Sequence, residues 1–264
     1  MSDLHVVKHG SGTPIMVMHG GLGLDHTYFR PSLDGLGDVA ELIYYDHRGN
    51  GRSPAVESYD DISFETLIDD ADELRKSLGL DKVILYGHSY GGFIAQNYAL
   101  KYQENLAGLI LASTSYNIHY EPVFPDWQTP EAMGAIGRIF GGPFESDEEF
   151  AETWRTALPI YWKDIQAELA AEIDANTVYK GDAWNRGFAM LGDFDLKGKL
   201  SAIQVPTLIM SGKYDFITGR QAHEDMHAEI AGSTLANFDD SAHFPMHTET
   251  EAYLAAIRSW LATL

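Results

Sequence analysis

The sequence holds three side chains whose types and placement suit nucleophilic catalysis. Gly87-His88-Ser89-Tyr90-Gly91 is a G-x-S-x-G pentapeptide. It lies between an apolar run, Val83 to Tyr86, and a helix-like stretch from Phe93 to Leu100. A turn that tight forces strained backbone angles on its central serine and lifts the hydroxyl clear of the strand end. The flanking glycines let strand and helix approach without Cβ clashes. A serine hydroxyl is a weak nucleophile at neutral pH and needs an adjacent base, which in turn needs an acid to fix its tautomer. Asp215 and His243 each follow an expected strand, Thr207–Ser211 and Thr234–Phe238. In a parallel sheet the residues just past the strand carboxyl ends gather on one edge. Ser89, Asp215 and His243 are therefore the expected catalytic set.

Rivals exist for two of the three. His247 is one helical turn from His243 and competes as the base. Asp239 and Asp240 compete as the acid, but both share a strand end with His243. His243-Phe244-Pro245-Met246-His247 lacks the glutamate of H-E-x-x-H, so no zinc site is expected there. His19 and His88 flank glycine-rich loops and read as structural. The developing oxyanion needs backbone donors. The N–H of Tyr90, at a helix start, is one candidate, and that of Gly21, in His19-Gly20-Gly21-Leu22-Gly23, is the other.

The elements that must position these groups follow a strand–helix alternation. Ile15–His19 and Ala40–Asp46 read as strands, each ending in a glycine-rich loop. Leu4–Lys8 reads as an edge strand and Leu109–Ser113 as the fifth strand. Phe64, Leu67, Ile68, Ala71, Leu74 and Leu78 recur at helical spacing, with Ser63 as cap and Asp69, Asp70, Asp72 and Glu73 as a solvated face. Arg48 and Arg52 read as loop bridges. From residue 116 to 200 the alternation stops. This stretch contains four of the five tryptophans and reads as a helical insertion, clearest over 149–155 and 164–172. Trp154, Trp162 and Trp184 are its expected substrate-binding aromatics. Thr248-Glu249-Thr250-Glu251 reads as a capping box for the closing helix.

Composition narrows the possible roles. The chain has 264 residues, 45% hydrophobic and 22% charged, which suits a single globular α/β domain rather than a disordered one. It has no cysteine, which excludes disulfides and thiolate chemistry. Its formal net charge of −21 repels phosphate backbones, so nucleic acid is not an expected partner. No secretory signal and no membrane-length apolar run is visible, so the expectation is a cytoplasmic protein with no membrane partner.

The glycine loops and the serine turn, with Tyr45-Asp46-His47-Arg48-Gly49-Asn50-Gly51-Arg52-Ser53, residues 101–110 and residues 201–209, resemble the α/β-hydrolases, closest to the proline iminopeptidase-like branch. The resemblance implies a mostly parallel central sheet with helices on both faces. It implies a core of 1–115 and 201–264 and a helical cap, 116–200, inserted after the fifth strand. It also implies an acyl-enzyme mechanism with Ser89 as nucleophile, Asp215 as orienting acid and His243 as base, and no metal or organic cofactor. Two departures bear on substrate. Leu22 replaces the proline usual in the branch's HGGPG loop. Phe216 stands where the branch often has a glutamate that binds a substrate amine, and Glu168, Glu172 and Asp174 are the remaining candidates for a cap acid. Leu22, Phe216 and the tryptophans suit a neutral acyl group. The expected activity is hydrolysis of a small carboxylic ester or lactone, acyl homoserine lactones among them. Aminopeptidase activity is the alternative, and a non-catalytic ligand receptor is the alternative of another class.

Overall fold

The computed structural model describes residues 3–264. Seven strands form one sheet: β1 (Val6–Gly10), β2 (Thr13–Met18), β3 (Ala40–Tyr45), β4 (Val83–His88), β5 (Leu106–Ala112), β6 (Thr207–Gly212) and β7 (Thr234–Phe238). Their order is β1-β3-β2-β4-β5-β6-β7, with β1 antiparallel to β3 and all other pairs parallel. From β2 the chain steps outward to β3, then crosses back to β4 on the other side of β2. The carboxyl ends of β2 and β4 thus flank a switch point, where open α/β sheets leave a crevice. The glycine loop after β2 and the serine turn after β4 face each other across it.

Side-chain alternation along the strands builds two cores. Met16, Met18, Ile43, Leu85 and Leu109 point to one face, under α2 (Phe64–Ser77), α3 (Tyr90–Tyr102) and α8 (Gly219–Glu229). Ile15, Val17, Tyr44, Ile84 and Ile110 point to the other, against α1 (Arg30–Leu33) and α10 (Thr250–Leu261). Burial on both faces explains why β4 reads as an unbroken apolar run. Between β5 and β6 the chain leaves the sheet and forms α4 (Pro130–Ile139), α5 (Asp147–Tyr161), α6 (Ala167–Asn176) and α7 (Gly181–Ala189). After β7 a short α9 (Pro245–Thr248) precedes α10.

Several local expectations change. The strand β5 starts at Leu106 rather than Leu109. The helix expected over 164–172 begins only at Ala167, because Asp164 has φ 52°, which no helix accommodates. The capping box at residues 248–251 does not form. Instead the Glu249 carboxylate accepts from the Asp240 N–H at 3.0 Å and the Ser241 hydroxyl at 2.6 Å, tying the loop after β7 to α10. Asp70 and Asp72 do not belong to a wet face either. Both are buried, Asp70 against Arg48 and Asp72 against Arg75, the Tyr98 hydroxyl and Asn105. Arg48 and Arg52 do bridge, Arg52 reaching Asp25 and the Asn176 carbonyl.

Asp72→Ala would leave Arg75 Nε and the Tyr98 hydroxyl without their acceptor, Arg75 keeping only the Leu80 and Asp81 carbonyls. Breaking such a buried cluster costs about 3 kcal/mol, and urea denaturation should register the loss. A variant as stable as the parent would contradict the cluster's structural role.

Candidate active site

Ser89 sits between β4 and α3 with φ 53° and ψ −121°. Its backbone is pinned from three sides. Its N–H donates to the Ala112 carbonyl at 2.9 Å, and its carbonyl accepts from the Gly92 N–H at 2.9 Å and the Thr114 hydroxyl at 2.8 Å. The glycines of the pentapeptide are required by space: a Cβ on Gly87 would lie 2.5 Å from the Gly91 carbonyl, and one on Gly91 would collide with that of Met18. Conformations of this kind cost on the order of 1–3 kcal/mol and persist only where packing over-determines them.

Asp215 and His243 meet as the strand order predicts. His243 Nδ1 is 2.8 Å from Asp215 Oδ2, and both side chains are buried. The carboxylate also accepts from the N–H groups of Ile217 and Thr218 and from the Thr218 hydroxyl at 2.6 Å. Burial alone would push its acidity down, but the facing His243 ring and these donors outweigh burial and hold the carboxyl well below the usual range. An ionised carboxylate only accepts, so Nδ1 carries the proton and Nε2 is the basic nitrogen. Ser89 and His243 line the same cavity. The Ser89 hydroxyl makes no hydrogen bond to the ring, and such contacts commonly tighten only around substrate.

A second set of bonds joins the loops that carry these groups. The Gly20 N–H donates to the Tyr28 hydroxyl at 2.7 Å, and that hydroxyl lies 2.9 Å from His88 Nδ1. His88 Nε2 lies 2.9 Å from the His243 carbonyl, an acceptor, so Nε2 is the protonated nitrogen and Nδ1 accepts from Tyr28. Burial drives His88 well below its ordinary value and keeps it neutral, as this arrangement requires. His88 is structural, as the sequence suggested. Tyr28 carries no sequence signal for its part; only the packing of its loop brings it to His88. The Gly20 N–H is spent on Tyr28, whereas the N–H of Gly21, a residue lining the cavity over Ser89, has no protein acceptor. The Tyr90 N–H, at the first position of α3, likewise has no protein acceptor.

The cavity over Ser89 has a volume of about 310 Å³. Leu22, Trp154, Trp184 and Phe216 line it, and so do Gly21 and Tyr90. Trp162 does not. It turns to the opposite side of the α5 end, packs 4.6 Å from the His247 ring, and lines a separate cavity. The end of α5 decides this: the helix stops at Tyr161, which lines the Ser89 cavity, and Trp162 follows with extended backbone, φ −128° and ψ 102°. Tyr161 is buried, its ring edges onto His243 at 5.6 Å, and its hydroxyl has no partner. No carboxylate lines the cavity among the described residues. Glu168 and Glu172 are exposed, and Asp174 pairs with Arg155 beside the second cavity. His247, the rival base, faces that second cavity too, while Asp239 pairs with Arg220 at the surface.

Among the described residues one group, His5, His26 and Asp46, has the spacing of a metal site. Two of its members are already engaged: His26 Nδ1 and the His26 N–H donate to Asp46 Oδ1, and the Arg52 N–H donates to Oδ2.

A family model described as alpha/beta hydrolase fold matches residues 13–135. A proline iminopeptidase of Saccharolobus solfataricus is 31% identical over 281 aligned positions, covering 98% of this chain and 87% of that protein. The chain belongs to the α/β-hydrolases. It falls in their proline iminopeptidase-like branch. Among solved structures, a thermophilic esterase from Thermogutta terrifontis superposes with a TM-score of 0.79 at 28% identity, covering 98% of this hydrolase and 93% of the esterase. An esterase from Exiguobacterium antarcticum gives 0.78 at 27% identity, covering 98% and 95%.

The hydrolase core encloses five imidazoles, His19, His47, His88, His223 and His247, that burial holds below their ordinary value. The unfolded chain protonates them near pH 6.5 and the folded chain does not. Their contribution to stability is therefore full above about pH 6.5 and is lost as the pH falls toward the folded values, by up to about 1.4 kcal/mol per pH unit for each. The urea midpoint should drop between pH 7.5 and pH 5.5; a midpoint constant over that interval would contradict the neutral, buried assignment.

Proposed function

We propose that this α/β-hydrolase cleaves a small neutral carboxylic ester or lactone, with acyl homoserine lactones in its range, through Ser89, His243 and Asp215. The supporting observation is the cavity over Ser89, which is walled by aromatic and aliphatic side chains and has no carboxylate to pair with an amine. Phe216, in place of the branch's glutamate, is buried and stacks on Phe124 with ring centroids 5.0 Å apart. A charged amine in that cavity would forfeit a charge-assisted bond worth about 1.5–3 kcal/mol. The names of the curated relatives favour aminopeptidase activity as the second reading.

In the proposed cycle His243 Nε2 takes the Ser89 proton as the hydroxyl oxygen attacks the substrate carbonyl. The N–H groups of Gly21 and Tyr90 hold the oxyanion. His243 returns the proton to the leaving oxygen, and Ser89 keeps the acyl group. Water, deprotonated by the same nitrogen, then releases the acid and restores the hydroxyl. The cycle calls for no metal or organic cofactor, and the partner is a small molecule. Residues 116–200 act as the cap, bringing Trp154, Tyr161 and Trp184 over the site.

Two results are expected. Ser89→Ala should lower kcat by at least about a thousandfold with the circular dichroism spectrum unchanged; retained turnover would reject the mechanism. In a panel of p-nitrophenyl butyrate, an acyl homoserine lactone and proline p-nitroanilide, ester or lactone should exceed anilide in kcat/KM by at least about tenfold. A preference for the anilide would establish the aminopeptidase reading, and labelling of Ser89 by a phosphonate without turnover of any substrate would point to a receptor.

A further inference from the structure

Beside the Ser89 cavity lies a second one of about 220 Å³, between α5, α6 and the loop that carries His243. Leu24, Tyr28, Trp154 and Phe244 form the shared wall. The rest of the lining is mostly apolar, and the only charged pair among the described residues, Arg155 with Asp174 at 2.7 Å, is mutually satisfied. Two polar groups break the pattern. Trp162 and His247 are each only 2% exposed, yet Trp162 Nε1 and His247 Nε2 have no hydrogen-bond partner. Their ring centroids lie 4.6 Å apart with the planes tilted by 32°, and both residues line this cavity. Buried unpaired donors are costly, so such groups in native proteins have a role to be found.

We propose that this cavity is a second ligand site, and that it takes a neutral, mainly apolar molecule bearing one hydroxyl group, held between Trp162 Nε1 and His247 Nε2 once the two rings turn enough to expose these fully buried nitrogens. The indole N–H only donates, so the ligand must offer an acceptor. His247 Nδ1 is 2.8 Å from the Ser32 hydroxyl, and either partner can be the donor there. A ligand hydroxyl serves Nε2 in both cases, donating to it or accepting from it, whereas a carbonyl serves only one. Burial pushes His247 down to about 4, so the site offers no net charge to an anion near neutrality. Access would come through α6. None of its residues is fully buried, and the Asp174 contacts to Arg155 and to the Tyr179 hydroxyl, at 2.7 Å each, latch it over the cavity.

Cyclohexanol is a suitable probe, with binding followed by NMR titration of the full-length protein. The expected result is saturable one-to-one binding. Trp162→Phe keeps the ring and removes the N–H, and should raise Kd at least about fivefold, the loss of one ordinary hydrogen bond. Ala170→Phe, which fills the cavity from α6, should abolish binding. Ile118→Trp, which narrows only the Ser89 cavity, should leave Kd unchanged. Absence of saturable binding to the parent protein would overturn the proposal and leave water as the cavity's occupant. So would a Kd that follows Ile118→Trp and ignores Trp162→Phe, since the alcohol would then sit over Ser89. If Ala170→Phe fails to fold, Trp162→Phe against Ile118→Trp still decides.

Discussion

The turn at Ser89 is held in a backbone conformation that an L-residue avoids when free, and much of the surrounding packing serves to keep it closed. The carbonyl and amide of Ser89 are bonded to Ala112, Gly92 and Thr114, so β5 and α3 both brace it. Gly91 lies against the end of β2, which fixes the distance between the serine and the glycine loop. Strain of a few kcal/mol is tolerable because the strands beneath are buried on both faces and cannot shift independently. The crevice at the switch point is thus rigid where the proposed chemistry would occur.

The second constraint is electrostatic. A carboxylate buried without donors would take up a proton and lose its hold on the imidazole. Asp215 has three donors besides His243, all from the residues that follow it in the chain, so its ionisation does not depend on the histidine alone. The loop carrying His243 is held in turn by the Tyr161 carbonyl, by His88 and, through Asp240 and Ser241, by Glu249. His88 and Tyr28 connect that loop to the glycine loop, so the proposed base and the proposed oxyanion donors share one chain of neutral hydrogen bonds. Neutrality matters here, because a proton on His88 would remove the acceptor that Tyr28 needs.

The parts legible from the residues alone were those set by local geometry. A tight turn needs its glycines, an unbroken apolar run needs cover on both faces, and groups past successive parallel strands converge. Ser89, Asp215 and His243 could be named on those grounds, and the last two are hydrogen-bonded as expected. What escaped was set by rotation and by distant partners. Trp162 reads as a substrate-binding aromatic, but α5 ends one residue before it, so Tyr161 lines the Ser89 cavity and Trp162 the other one. Asp70 and Asp72 read as solvated because Arg48 and Tyr98, which bury them, come from other segments. Thr248 and Glu251 have the spacing of a capping box, yet Thr248 ends α9 and its hydroxyl turns to the Phe244 and Lys163 carbonyls.

The central claim is that the Ser89 oxygen takes up the acyl group of an ester while His243 handles its proton. Rapid quenching of the protein with a p-nitrophenyl ester in excess, followed by peptide mass mapping, tests it most directly. The account predicts an acyl mass increment on the peptide containing Ser89, absent when His243 is replaced by alanine. An increment on any other residue, or turnover with Ser89 never modified, would contradict it.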